Sequence, residues 1–182
     1  MRRSVVLTLC VVSAAVLASC EHRPPLPGSQ EALIGQPAPD LRLTPVQGEV
    51  PRTLAGLQGR TAVVELWATW CGACRRSLPE VAGAVTDLER ADITFLALNV
   101  DARTPTREQN VNAFLREHAP HAPAALDDGT AVARFAARVL PTTIIVAADG
   151  RIVSVHAGAV RPDSLVSAAL AAANASGSSA RD

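Results

Sequence analysis

Residues 61–67 read TAVVELW, a short and nearly continuous apolar run rich in β-branched side chains. A run of this kind suits a strand buried on both faces, and therefore a sheet covered from both sides. The neighbouring sequence supplies the cover. Residues 71–90 carry a helical pattern, with a kink expected at Pro79, which has no amide proton to donate. Residues 93–100 (ITFLALNV) read as a second buried strand. Residues 106–118 place Val111, Phe114 and Leu115 on one side of a helix, and 130–138 predict another short helix. Residues 142–147, the turn Asp149-Gly150 and residues 152–156 predict a hairpin, and 162–173 a closing helix. Nearer the start, residues 41–44 and the segment around Val50 flank Gln47-Gly48 and predict a short hairpin. The alternation predicts an α/β fold: a central mixed β-sheet flanked by helices on both faces, with an N-terminal β-hairpin extension.

The chain has 182 residues, a length suited to one domain. Met1-Arg2-Arg3 is a basic start, and residues 5–18 are apolar or small throughout. That run is short for a bilayer span and suits the core of a secretory signal. It ends LASC at 17–20, which resembles a bacterial lipoprotein box: cleavage before Cys20, then lipidation of its sulfur. An ordinary signal with a coincidental cysteine is the alternative. On the lipoprotein reading, 1–19 is the signal peptide and 20–34, rich in Pro and polar residues, is a lipidated, flexible tether. Residues 35–173 form the domain, and 174–182 a small, polar, disordered tail. Cleavage removes nineteen residues and leaves 163, with 15 arginines against 17 acids, a charge of −2. No electrostatic footprint of nucleic-acid binding is present. The expected location is the extracytoplasmic, periplasmic face of the cell envelope, lipid-anchored to the membrane, since two or more acyl chains hold a protein stably.

This reading settles the cysteines. Cys10 leaves with the signal and Cys20 is blocked as a thioether. Cys71 and Cys74 remain, without rival partners, in a compartment where disulfides persist. A CxxC pair directly after a buried strand, opening a helix, is a redox arrangement. The helix N-terminus offers unpaired N–H groups and partial positive charge, so Cys71 should ionise more readily than a free thiol. Cys74 lies one turn further in, placed to attack a mixed disulfide on Cys71. Glu65 interrupts the apolar strand six residues earlier. Buried without a partner, its carboxylate is costly and its pKa should rise, which suits proton exchange with Cys74. The bland alternative places Glu65 at a solvent-facing strand edge.

The segment WATWCGACRRSLP resembles the active-site signature of thioredoxin-fold proteins, and Leu140-Pro141-Thr142-Thr143 resembles their cis-proline loop. Glu65, Trp70 and Pro79 fall where the family carries an acid, a tryptophan and a helix proline. From IGQPAPDLRL to about Ala173 the chain is similar to the membrane-anchored TlpA/ResA-like branch. The resemblance implies a thioredoxin-like fold and a thiol-disulfide oxidoreductase whose catalytic residues are Cys71, Cys74, Glu65 and Pro141. It implies substrate contact at Trp70, Leu140, Gly72 and Ala73. The redox-active disulfide would be its own redox group, with no metal and no other cofactor. Implied partners are extracytoplasmic protein disulfide clients, as in cytochrome c or copper-oxidase maturation, and a membrane thiol-electron transporter as reductant source. A monomer is expected, without nucleic acid.

Three departures stand out. Gly72-Ala73 lacks the proline common between the cysteines, and this dipeptide bears on reduction potential, where about 30 mV corresponds to 1.4 kcal/mol. Ser77 stands where some cytochrome-maturation relatives carry an acid, and the chain has no Lys to pair with Glu65. Two other functions compete. A thioredoxin-like copper-binding assembly protein would use both cysteines and a histidine; a peroxiredoxin-type peroxidase would need an isolated cysteine in its own motif. Among the remaining residues, Trp67 reads as core, His118 and His121 as solvated around Pro120, His156 as structural, and Asp101 as the start of a turn.

Overall fold

The structure, a computed structural model, describes Leu26 and residues 28–179. The expected signal peptide and Cys20 lie outside the described residues. In chain order the elements are β1 (Leu43–Gln47), β2 (Ala62–Trp67), α1 (Gly72–Gly83), α2 (Val85–Arg90), β3 (Thr94–Asn99), α3 (Arg107–His118), β4 (Ala124–Asp127), α4 (Ala131–Arg134), β5 (Thr142–Val146), β6 (Ile152–Ala157) and α5 (Pro162–Ser179). Short 3-10 turns at Glu31–Leu33 and Leu54–Leu57 precede the first long elements.

All six residues of β2 are buried, as its apolar run demands. The strand lies inside a six-stranded sheet of order β1-β4-β3-β2-β5-β6, parallel to β3 and antiparallel to β5. Side chains alternate between the faces of a strand. Val63 and Trp67 join a core built with Cys74, Leu78 and Val81 of α1, Leu88 of α2, Phe114 of α3 and Leu165 of α5. Val64 and Leu66 point the other way, into a core with Leu41, Leu54, Ala131 and Phe135. Glu65 shares its face with Val63 and Trp67, beneath α1.

Several boundaries differ from those read in the sequence. Leu43–Gln47 pairs antiparallel with β4 rather than with the segment around Val50. The expected reversal survives as one bridge, Arg42 to Thr53, because β4 offers a longer partner edge. β4 carries no clear sequence signal: AALD is four residues, alanine-rich and too short for a visible period. The helix expected over 71–90 runs through Pro79 and breaks instead at Ala84, after Gly83, a poor helix former. α4 ends after one turn, where Ala136 takes a left-handed φ of 49° and the chain turns toward Leu140. Residues 174–179, expected as frayed tail, continue α5, an alanine-rich stretch with Ser176 bonded back to the Ala172 carbonyl. The expected domain is tied in from its first residues: Gly35 donates to the Ile152 carbonyl and Ile152 to that of Gln36. The β5–β6 turn is as expected, with Gly150 at a φ of 83° and Asp149 accepting from the Arg151 amide.

One buried charge cluster ties four elements together: α3, β3, β4 and α4. Arg107, at the head of α3, reaches Asp127 Oδ1 at 2.7 Å and the Asp127 carbonyl at 3.0 Å. Its Nε donates to Asn99 Oδ1 at 3.1 Å, and a terminal nitrogen also donates to the Asn99 carbonyl. Asp127 Oδ2 accepts from the Ala131 amide, capping α4. Removing one partner of a buried pair strands the other charge. Arg107→Ala should therefore cost about 3–5 kcal/mol in urea unfolding of the oxidised protein. A loss below about 1 kcal/mol would show that water replaces the guanidinium.

Candidate active site

β2 ends at Trp67, and a three-residue loop carries the chain to Cys71, the residue that caps α1. The loop is held from two sides. Val100 donates its amide to the Trp67 carbonyl at 2.8 Å. Asp101 accepts from the Thr69 amide at 3.0 Å and from its hydroxyl at 2.8 Å. Asp101 is in turn positioned by its own amide, which donates to Asn99 Oδ1. The buried Arg107 cluster thus continues into the loop that presents the cysteine.

Cys71 and Cys74 are joined in a disulfide. Cys71 Sγ accepts the backbone N–H of Cys74 at 3.0 Å, the bond that a serine or aspartate oxygen makes at an ordinary N-cap. Cys74 is fully buried, whereas Cys71 keeps 7% of its surface. The Leu140 carbonyl oxygen lies 3.6 Å from Cys71 Sγ, in place to accept from the thiol once the bridge is reduced. The Leu140–Pro141 bond is cis. Trp70, 72% exposed, lines an open groove of about 570 Å³ with Cys71, Ala73, Val132, Val139 and Leu140. Gly72 also borders it, and a Cβ there would meet nothing within 4 Å.

Glu65 is 1% exposed on an inner strand, which removes the alternative of a solvent-facing edge. Burial pushes its pKa up from 4.5 to about 7, and a hydrogen bond from Ser77 opposes the rise. Ser77 Oγ donates to Glu65 Oε1 at 3.1 Å. The other carboxyl oxygen is buried without a partner. Cys74 and Ser77 both lie on the buried side of α1, one turn apart.

Arg75 does not point at the sulfur. Its guanidinium lies 5.4 Å from the centre of the Phe114 ring and within 3.4 Å of the Thr69 carbonyl oxygen. It also contacts His118 Nε2 at 3.3 Å. His118, expected in solvent, instead ends α3 with its ring 4.5 Å from that of Phe114. His121 is exposed, His156 lies on β6, and Trp67 packs against Phe114 at 4.8 Å.

The sequence pointed to the cysteines, Glu65, Trp70, Leu140 and Pro141; the fold gathers Trp70, Cys71 and Leu140 at one groove, with the cis bond to Pro141 beside it, and sets Glu65 beneath α1 through Ser77. It did not point to Ser77 as the acid's partner, nor to Asp101, Asn99 and Arg107 as loop supports. A polar residue on the buried side of α1 was the visible sign for Ser77. For the loop, three separated residues converge only through the pairing of β3 and β4.

A family model described as Redoxin matches residues 33–172. The chain belongs to the Redoxin family. It is 33% identical over 135 residues to the thiol:disulfide interchange protein HelX of Rhodobacter capsulatus, covering 72% of each chain. It is 26% identical over 121 residues to the thiol-disulfide oxidoreductase ResA of Bacillus cereus, covering 66% of this chain and 67% of that one. Among solved structures, a DsbE-type thiol:disulfide interchange protein from Chlorobium tepidum superposes with a TM-score of 0.63. The identity is 26%, over 75% of this chain and 97% of the other. This redoxin is a thioredoxin-like thiol-disulfide oxidoreductase with its cysteine pair at 71 and 74.

The buried acid gives the redoxin a pH signature. The folded state keeps a proton on Glu65 up to about pH 7, while the unfolded chain releases it near 4.5. Between those values the folded state binds more protons, so stability falls as pH rises through the window and levels off above it. The shift corresponds to roughly 3 kcal/mol. Glu65→Gln should abolish most of that decline in denaturant unfolding of the oxidised protein. An unchanged decline in the variant would place the titration elsewhere.

Proposed function

We propose that this redoxin is a lipid-anchored, extracytoplasmic enzyme that reduces disulfides of envelope client proteins. The observation that carries the reading is one sulfur at the head of α1, open to an apolar groove, with its partner sulfur sealed behind it. The reduced Cys71 thiolate attacks a client disulfide, forming a mixed disulfide and expelling one client thiolate. Cys74, deprotonated toward Glu65, then attacks Cys71 Sγ. The Cys71–Cys74 bond forms, the second client thiolate leaves, and two electrons have passed to the client. A membrane thiol donor restores the dithiol.

Each site residue has a part in this scheme. The N-cap hydrogen bond favours Cys71 as an anion. Trp70, Val139 and Leu140 give an extended client segment an apolar seat. Pro141 keeps the Leu140 backbone beside the sulfur, and Gly72 and Ala73 leave the approach open. The envelope location is supported by the LASC sequence ending at Cys20 and by the polar, proline-bearing segment after it. Among the described residues no helix is long and apolar enough to cross a membrane. Clients of cytochrome c or copper-oxidase maturation fit it, and the monomer is taken as the working form.

The test is a trap. Cys74→Ser, expressed in a bacterial envelope, should accumulate client proteins as mixed disulfides through Cys71; recovery no greater than from a double-cysteine variant would sink the reading. Trp70→Ala should lower kcat/KM for a protein disulfide about tenfold. Its unfolding free energy should move by less than ~0.5 kcal/mol, since the ring is exposed. Unchanged turnover would place the client elsewhere.

A further inference from the structure

We propose that Ser77 is a positioning residue for proton transfer at Cys74: its hydroxyl holds one oxygen of Glu65 and leaves the other to serve the resolving sulfur. The proposal rests on the dithiol reading above and concerns the step in which Cys74 becomes a nucleophile.

The geometry begins with the β2–α1 connection. β2 rises to Trp67, the chain turns, and α1 comes back across the same face of the sheet. Glu65 lies two residues below the strand's end, ~6.6 Å at strand spacing. Along α1, Cys74 and Ser77 fall ~4.5 and ~9 Å from the Cys71 cap at helical spacing. The Ser77 bond sets the acid under the buried face of α1 that Cys74 shares, one turn away. The 3.1 Å bond from Ser77 to Oε1 fixes which carboxyl oxygen is taken. Oε2 is buried and has no donor.

A buried carboxyl oxygen without a donor is a costly feature. Here it has a chemical reason. In the oxidised form Cys74 carries no proton to give. Reduction restores an S–H one helical turn from Ser77, and Oε2 is the acceptor left open under that helix face. The step then balances: the proton of Cys74 passes to Glu65 Oε2, the sulfur becomes a thiolate, and the carboxylate becomes a neutral acid. The thiolate attacks Cys71 Sγ, and the expelled client thiolate takes up a proton.

The other neighbours of Glu65 do not compete. Its register partners are Ala97 on β3 and Thr143 on β5, neither of which titrates. His156 on β6 is one strand further along the same row. α1 offers Cys74 and Ser77, and α5 adds Leu165, Ala169 and Ala172 to that layer. Among the described residues no ion pair holds Glu65, and the chain has no Lys. A serine inside a helix ordinarily bonds back to the preceding turn. Ser77 turns its hydroxyl to the acid instead, from a position flanked by Cys74, Leu78 and Val81, where an aliphatic side chain would pack better.

The test follows the second thiol. The reduced full chain is mixed with an aromatic disulfide reagent, dithiobis(nitrobenzoate), which loads Cys71; release of the second thionitrobenzoate times the attack by Cys74. In wild type this rate should follow pH with a midpoint near 7, where Glu65 titrates. Ser77→Ala removes a donor to the charged form, so the midpoint should rise by about one pH unit. At pH 7 the rate should fall roughly fivefold and recover to wild type by about pH 9. Ser77→Thr should keep the wild-type profile while the nearly isosteric Ser77→Val follows Ala, a pair that separates the hydroxyl from packing. In a Glu65→Gln background, loss of the hydroxyl should have no effect on the midpoint. An unmoved midpoint in Ala and Val, or a loss that Thr does not rescue, overturns the role of Ser77 and leaves the dithiol chemistry standing. Failure of wild type to release a second equivalent defeats the dithiol reading and this proposal with it.

Discussion

Cys71 Sγ accepts the Cys74 amide, and the site is organised around that bond. A helix begins with backbone donors that find no carbonyl within the helix, and some outside acceptor must take them. Here the acceptor is a sulfur. The bond that starts α1 also favours negative charge on the atom that does the chemistry, aided by the dipole of twelve aligned residues. In the proposed exchange the cap is the attacking group, so the helix start and the reactivity of the thiol become a single feature.

Such a cap works only if the strand before it is rigid and the loop between them is pinned. β2 meets the first need: it is hydrogen-bonded on both edges and buried on both faces. The second is met from a distance. Arg107 and Asp127 neutralise one another inside the fold, and Asn99 links that pair to Asp101, which grips Thr69. A buried ion pair adds little net stability over a well-packed apolar pair, but it fixes geometry. The geometry fixed is that of the loop presenting Trp70 and Cys71.

The two sulfurs are then made unlike by their surroundings. Cys71 opens on a groove of exposed apolar side chains, with the Leu140 carbonyl beside it. Cys74 faces the sheet, where a carboxyl with a pKa near neutrality lies under the same helix face. One sulfur borders the groove; the other is sealed in the core. That division lets a two-residue spacing run a two-step exchange.

Much of this was legible in the chain. TAVVELW read as an inner strand, because a short β-branched run largely apolar at both parities has little face to give to water. The CxxC spacing and Leu140-Pro141 carried the chemistry, since local backbone geometry sets which atoms a short motif presents. Contacts between distant segments were not legible. β4 is too short to show a period, the first strand of the expected hairpin pairs with β4 instead, and Ser77 and Asp101 have polar side chains whose partners lie 12 and 32 residues away. By itself the sequence determined the central strand, the thiol pair and the order of the elements, all of which follow from local pattern. Only the tertiary structure decided which side of β2 carried Glu65, which hydroxyl met it and what pinned the loop, because strand register and helix rotation are settled by packing.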